Sequence, residues 1–292
     1  MQICVPFPAW FVLEAGLKTL MPVLVALGIL TSVSLAHASP EGERQKLATH
    51  FASLLPDVKP DDYRFGALAL DPDLMAQYRS IMEFPPFSGE LEKAERLWNT
   101  PFASGRTYAD CLPNGGRMIA GNYPLFDERR GRVVTLEDAV NDCRVANGEK
   151  PWAYGDPRTM GLLTAHLRAL SDGMKVNIKV EGEAALRAFE DGKRTFYRRV
   201  GQLNFSCASC HVTNVGRRLR ADLLSPAVGQ ATHWPVFRGG DQLVTLQKRY
   251  EGCYRDMRHV PDAPGSARFN NLEYFHAYLS NGLEMKASVF RK

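Results

Sequence analysis

Residues 204–212, "NFSCASCHV", contain the motif that decides the fold. Two residues separate Cys207 from Cys210 and His211 follows directly, which is the C-x-x-C-H pattern of covalent c-type haem attachment. The spacing suits this chemistry because two thiols reach the two vinyl groups of one porphyrin while the next imidazole ligates the iron. The alternative is a thiol–disulfide exchange pair that a histidine follows by chance.

The segment before the motif indicates the class of fold. Leu186, Phe189 and Phe196 recur at helical spacing within residues 183–199, which predicts an amphipathic helix leading into the attachment turn. A cytochrome c domain needs such a helix. We therefore predict a mainly α protein built from cytochrome c-like domains.

The first 38 residues have the pattern of an export signal. Lys18 precedes the uncharged apolar stretch 20–38, which ends in the small-x-small sequence Ala36-His37-Ala38. We predict a signal peptide over residues 1–38, cleavage after Ala38 and a periplasmic mature chain; an uncleaved anchor helix is the alternative. The net charge of +4 fits an anionic small substrate or an acidic partner and is too weak to indicate nucleic acid.

Two sequence features repeat at an offset of about 110 residues. "VTLEDAVNDC" at 134–143 returns as "VTLQKRYEGC" at 244–253, with the V-T-L and the cysteine at identical spacing. "LSDGMK" at 170–175 returns as "LSNGLEMK" at 279–286. Two features at one offset indicate a duplicated unit.

The duplication predicts two tandem cytochrome c-like domains, residues 39–175 and 176–292. The first copy has one cysteine, Cys111, and no following histidine where the second has C-x-x-C-H, so we predict an N-terminal domain without haem. Cys143 keeps the place that Cys253 has in the second copy. If Cys253 lies at its haem, Cys111 and Cys143 face each other across the lost haem position, and in an oxidising compartment we expect a disulfide rather than two buried thiols.

Cysteine parity then leaves Cys253 without a partner. Cys4 is lost with the signal peptide, and an odd cysteine in an exported protein suggests a reactive thiol, a metal ligand or an intermolecular bond. We predict a helix from Gln242 with Asp241 as its N-cap, and an apolar face that turns Cys253 toward the haem. Arg249 is four residues earlier and therefore adjacent on the helix surface. Its guanidinium is expected to lower the thiol pKa and to bind an oxyanion.

The distal iron ligand stays open between six residues. The candidates are Cys253, Met257, Met285, His233, His259 and His276. Cys253 is favoured because the cysteine recurs in both copies, whereas Met257 has Asn147 opposite it. We expect His276 to be a packed core histidine and His233 to be a loop or haem-edge residue. A thiolate ligand favours the ferric state, which suits a redox catalyst.

The chain resembles a known family in four features. These are "CASCH" at 207–211, "RYEGC" at 249–253, "ATHWPVFR" at 231–238 and the duplicated layout. Together they resemble the A subunits of the SoxAX cytochromes of the sulfur-oxidising (Sox) system, from about residue 60 to the end. Because the first attachment motif is missing, the chain is similar to the single-haem form, in which a disulfide replaces the N-terminal haem.

The resemblance implies an L-cysteine S-thiosulfotransferase. In that family the subunit pairs with a small SoxX-type monohaem cytochrome c, joins thiosulfate oxidatively to a cysteine of the SoxYZ carrier and passes two electrons to cytochrome c. The resemblance makes Cys253 the active-site cysteine and distal iron ligand, often found as a persulfide. It makes Arg249 the adjacent cation and His211 the proximal ligand. A bound copper ion and a further small subunit stay open, and a non-catalytic electron-transfer cytochrome is the alternative.

Overall fold

Helices carry most of the fold, which confirms the prediction of a mainly α protein. The computed structural model describes residues 39–287 and 290–291. The predicted signal peptide and Cys4 lie outside the described residues. The α-helices are α1 (Pro40–Leu54), α2 (Pro72–Glu83), α3 (Ser88–Asn99), α4 (Leu136–Ala146), α5 (Met160–Ala169), α6 (Gly182–Tyr197), α7 (Leu246–Asp256) and α8 (Ala267–Tyr278).

Short strands and tight turns connect the helices. The strands are β1 (Leu125–Asp127), β2 (Arg132–Val134), β3 (Arg218–Leu219), β4 (Asp222–Leu223), β5 (Val236–Arg238), β6 (Gln242–Val244) and β7 (Phe290–Arg291). Segments of 3-10 helix occur at Pro60–Leu70, Tyr108–Asp110, Pro113–Gly116, Ala120–Asn122 and Gln230–Thr232. A π-helical turn covers Ser209–Thr213.

The order of elements in the first half returns in the second. In the first half, the 3-10 turn Ala120–Asn122 is followed by the antiparallel hairpin β1–β2 and then by helices α4 and α5. In the second half, the 3-10 turn Gln230–Thr232 is followed by the antiparallel hairpin β5–β6 and then by helices α7 and α8. Helix α3 packs against α5, and α6 packs against α8. From Ala38 onward the chain forms one compact unit. The two-domain division at residue 175 therefore stays a prediction, which the repeated order of elements supports.

Threonine caps begin the two repeated helices. The hydroxyl of Thr135 accepts a hydrogen bond from the backbone N–H of Asp138 (3.2 Å) at the start of α4. At the start of α7 the hydroxyl of Thr245 accepts one from the backbone N–H of Lys248 (3.3 Å). The predicted helix start at Gln242 was therefore wrong, because residues 242–244 pair with β5 as strand β6.

Helix α6 confirms the amphipathic helix predicted upstream of the motif. Phe189 and Phe196 are fully buried, and their ring centroids lie 5.2 and 5.3 Å from that of Phe275 on α8. Gly192 lies between them, where a Cβ would overlap the backbone carbonyl of Asn271. The glycine thus lets α6 approach α8 closely, and this helix pair supports the turn that follows α6.

Candidate haem and active site

A cavity of about 540 Å³ brings the predicted site residues together. Cys207, Cys210 and His211 line it from the attachment turn, and Arg249 and Cys253 line it from α7. Apolar side chains supply much of the remaining wall: Leu68, Leu74, Ile81, Leu246, Leu272 and Phe290. Two thiols and an imidazole beside an apolar hollow are a donor set that fits a covalently attached porphyrin.

Hydrogen bonds hold the attachment turn in shape. The backbone N–H of Ser209 donates to the hydroxyl of Ser206 (3.1 Å), and the backbone N–H of Ser206 donates to the hydroxyl of Ser209 (3.0 Å). Burial raises the pKa of the Cys207 thiol to about 12 and also raises that of Cys210. Neither cysteine forms a disulfide with another described cysteine.

Two residues that the sequence analysis missed orient His211. Its Nδ1–H donates to the backbone carbonyl of Ser225 (2.8 Å). The side-chain amide of Gln230 lies 2.6 Å from the same nitrogen and 2.7 Å from the Ser225 hydroxyl. A proton held on Nδ1 leaves Nε2 in the unprotonated form that ligates a metal. No motif marks these partners, because one contact is to backbone and the other comes from a separate turn.

Cys253 is half-buried on α7, one turn after Arg249. Burial raises the pKa of the Cys253 thiol, and the Arg249 guanidinium acts in the opposite direction. Arg249 therefore lowers the thiol pKa as predicted, although desolvation of the thiolate is the larger effect and the net shift is upward. Direct bonding to a cation such as iron would stabilise the thiolate far more than one neighbouring arginine does.

Arg249 differs from the other arginines that line the cavity. Three of them face carboxylates: Arg218 with Asp71 (3.1 Å), Arg220 with Asp256 (3.9 Å) and Arg238 with Asp222 (3.2 Å). Arg249 forms no ion pair or side-chain hydrogen bond with any residue that the structure describes. Its guanidinium therefore has no carboxylate partner among the described residues, and its charge acts on the sulfur of Cys253.

The structure narrows the candidates for distal ligand. Within the described part of the chain, Met285 and His259 do not line the cavity, whereas Met257, His233 and His276 line it together with Cys253. His276 is 3% exposed and accepts a hydrogen bond at Nδ1 from the Tyr250 hydroxyl (2.9 Å). Burial lowers the pKa of His276 to about 3, so it is a neutral core histidine, as expected.

His233 makes a local contact. Its Nδ1 lies 2.8 Å from the backbone carbonyl of Arg64. The residue is 2% exposed and follows the 3-10 turn Gln230–Thr232 at the cavity wall. This position fits the expected loop or haem-edge residue.

In the N-terminal half a disulfide stands where the second half has its cavity cysteine. Cys143 on α4 is bonded to Cys111, with Cα atoms 5.8 Å apart. Tyr108 packs beside the bridge, and its hydroxyl accepts hydrogen bonds from Arg144 (3.0 Å) and from the Trp152 indole N–H (3.3 Å). Protein side chains and a covalent bond thus fill the space around these cysteines.

Residues 39–287 and 290–291 contain neither a clustered metal-binding set nor a membrane-crossing helix. No group of three or more histidine, cysteine, aspartate or glutamate side chains in these ranges is placed to hold a metal ion. None of the described helices is long and apolar enough to cross a bilayer.

Comparison with known proteins gives one consistent family. The profile of the "SoxA/TsdA, cytochrome c domain" family matches residues 93–176, the half that contains the disulfide. The crystal structure of SoxXA from P. pantotrophus superposes with a TM-score of 0.68 at 32% identity, covering 74% of this chain and 84% of that one.

Curated relatives extend the match to nearly the whole chain. The L-cysteine S-thiosulfotransferase subunit SoxA of Chlorobaculum tepidum is 42% identical over 276 residues, covering 91% of this chain and 96% of that protein. The protein of the same name from Allochromatium vinosum is 42% identical, covering 87% and 91%. At this identity and coverage, the chain belongs to the family of L-cysteine S-thiosulfotransferase SoxA subunits.

Proposed function

We propose that this chain is the haem-bearing catalytic subunit of an L-cysteine S-thiosulfotransferase. The names of its relatives support the reaction class. The observation that carries the proposal is the position of Arg249, which forms no ion pair with a described residue. It lies one helical turn from Cys253, in the cavity wall shared with the C-x-x-C-H motif. A cation beside a sulfur in a partly apolar cavity suits an anionic sulfur substrate.

The proposed cofactor is one haem c. Cys207 and Cys210 would hold it through thioether bonds, and His211 and Cys253 would be the protein ligands of its iron. When bound, the haem supplies an iron centre that takes up electrons one at a time. The Ser225 carbonyl keeps His211 in the ligating tautomer, and the apolar wall excludes water, which strengthens electrostatic contacts inside the cavity.

The proposed substrates are thiosulfate and a cysteine thiol of the SoxYZ carrier. A sulfur–sulfur bond forms between the thiol sulfur and the outer sulfur of thiosulfate, giving a carrier S–S–SO₃⁻ group. The S–H bond of the thiol breaks, one proton leaves, and two electrons pass to a cytochrome c acceptor. Arg249 binds the dianion through charge-assisted hydrogen bonds, and Cys253 presents its sulfur beside the bound substrate.

The proposed partners and location follow the same family. The chain pairs with a SoxX-type monohaem cytochrome, for which the match to SoxXA is the support. It acts in the periplasm after removal of residues 1–38, for which the Ala36-His37-Ala38 sequence is the support. Intact mass spectrometry of the purified chain reports the cleavage, one haem, one disulfide and any extra sulfur.

Substitution of Cys253 tests the catalytic proposal. In the reconstituted complex, Cys253→Ala is expected to abolish thiosulfate-dependent reduction of cytochrome c, because the active sulfur is gone. Turnover at the wild-type rate, together with a His/Met haem spectrum, would instead identify a non-catalytic electron-transfer cytochrome.

Substitution of Arg249 tests the anion site, with a matched control on the same helix. Arg249→Gln is expected to lower kcat/KM for thiosulfate by about 10- to 150-fold, since a hydrogen bond to a charged group contributes about 1.5–3 kcal/mol. Arg255 is exposed and pairs with Glu251 (2.6 Å), so Arg255→Gln is expected to leave kcat/KM unchanged. Equal effects of the two substitutions would contradict a specific anion site.

A further inference from the structure

Two glutamates from different halves of the chain are buried close together behind the cavity. Glu137, in the first turn of α4, is 8% exposed, and Glu273, in the middle of α8, is 3% exposed. Arg168 on α5 is 9% exposed and acts electrostatically on both carboxyl groups. Its guanidinium also donates to the backbone carbonyl of Ala231 (3.1 Å). We call Glu137 and Glu273 the acid pair.

A chain of polar side chains links the acid pair to the surface. The side-chain amide of Gln247 donates to Glu273 (2.8 Å) and to Asn270 (2.9 Å). Asn270 in turn donates to Asp138 (3.4 Å), which also accepts from Arg132 (2.9 Å). Asp138, Asn270 and Arg132 line a second cavity of about 250 Å³. Polar contacts therefore connect Glu273 to a second cavity at which the Asp138 carboxylate is partly exposed.

Charge balance requires the acid pair to hold a proton. Two carboxylates opposite one guanidinium would leave a net negative charge away from water, which is costly. Burial and the charge of Glu137 raise the pKa of Glu273 to about 8, and burial together with the charge of Asp138 raises the pKa of Glu137. The other titratable groups that face the pair are Asp138 on α4, Arg168 on α5, Tyr154 before α5 and Tyr250 on α7. Burial keeps both tyrosines neutral.

The acid pair lies directly behind the wall of the haem cavity. Leu246 and Leu272 line the cavity, and the next residues along the two helices are Gln247 and Glu273. Tyr250 also lines the cavity, and the charge of Glu273 contributes to the raised pKa of its phenol. A charge added to the cavity therefore acts on the acid pair across one helix, through an interior that screens it weakly.

We propose that Glu137 and Glu273 form a site for one shared proton that is coupled to the cavity: the site holds this proton more tightly when an electron enters the cavity and less tightly when the electron leaves. This inference rests on the proposed haem-bearing function. The electron comes from the oxidation of thiosulfate and the carrier thiol and passes to cytochrome c. The proton comes from solvent or from the oxidised thiol, and it returns to solvent on the side where Asn270 and Asp138 line the second cavity. The acid pair thus keeps the buried charge balanced as electrons pass.

The pH dependence of the haem midpoint potential tests the proposal. In the purified complex, spectroelectrochemical titration is expected to show a potential that falls as pH rises through the range around pH 8, because loss of the shared proton adds negative charge. Glu273→Gln removes this dependence, since the remaining Glu137 carboxylate pairs with Arg168 and stays ionised. The control is Glu183→Gln on α6, whose carboxylate is 93% exposed and whose loss is expected to leave the dependence intact.

An infrared measurement needs no substitution. The reduced-minus-oxidised difference spectrum of the wild-type complex is expected to contain a protonated-carboxyl C=O band that shifts in D₂O. Absence of this band, a potential that does not depend on pH, or an unchanged dependence in Glu273→Gln overturns the coupling while haem binding and turnover stand. Absence of haem from the purified chain overturns the proposed function and the coupling with it.

Discussion

Removal of the Cys111–Cys143 disulfide is expected to lower the free energy of unfolding by about 4–5 kcal/mol. The bridge joins residues 32 apart in sequence. For a closed loop of this length the chain-entropy relation gives about 12 cal/mol/K, or about 3.7 kcal/mol at 25 °C. Loss of two largely buried sulfur atoms in the Cys111→Ala, Cys143→Ala double variant adds on the order of 1 kcal/mol.

Urea unfolding followed by circular dichroism measures this loss. A phosphine reductant provides the matched control, because it is expected to destabilise the wild-type chain and to leave the double variant unchanged. The slope of the transition reports whether the native or the unfolded state has changed its exposed surface. A loss below about 1 kcal/mol, less than disulfides typically contribute, would refute the reasoning that the bridge replaces haem as the cross-link of the N-terminal half.

Three further predictions concern the distal ligand, a turn and the acid pair. Met257→Leu is expected to leave the optical and EPR spectra of the haem unchanged if Cys253 is the distal ligand; a changed spectrum would identify Met257 instead. Gly229 has φ +86°, and a Cβ there would overlap a backbone carbonyl. Gly229→Ala is therefore expected to lower the free energy of unfolding, measured in urea, by about 2–4 kcal/mol. The control Gly239→Ala, where φ is +57° and the space is open, is expected to lower it by about 1 kcal/mol. The pKa of Glu273 rises from 4.5 to about 8 on folding, so with rising pH the unfolded chain loses this proton before the folded chain does. Thermal melts are therefore expected to show a stability that falls as pH rises from 4.5 to about 8. Glu273→Gln is expected to flatten this pH profile, and an equally steep profile in the variant would contradict the assignment.

Local pattern was enough to predict the motif helix and the repeat, and it failed at one helix start. The spacing of Phe189 and Phe196 predicts α6, because it follows the helical period. Asp241 has the chemistry of an N-cap, yet residues 242–244 form a strand because β5 offers them backbone partners. Pairing with β5 makes these residues a strand, and the sequence pattern of residues 241–244 alone gives no information about that pairing. Thr245, an equally good cap, begins the helix instead.

The site divides in the same way. Cys207, Cys210, His211 and Cys253 could be named from spacing and from the duplication. Their meeting in one cavity is a property of the fold. The acid pair was not predicted, because Glu137 and Glu273 look like ordinary solvated residues of two separate helices. Only packing removes them from water and makes their protonation depend on each other.

The cavity has a rim held by three partly exposed ion pairs of the β3–β4 hairpin and an inner wall held by buried contacts. Arg218, Arg220 and Asp222 fasten the hairpin to α2, α7 and β5 through partly exposed side chains. Each such pair contributes about 0–1 kcal/mol to stability. Dissolved salt screens the attraction between exposed charges, over a distance of about 8 Å at physiological ionic strength. Added salt therefore loosens this rim, while the attachment turn and the buried helix pair do not respond. The stability of this rim therefore depends on ionic strength, whereas that of the buried parts of the site does not.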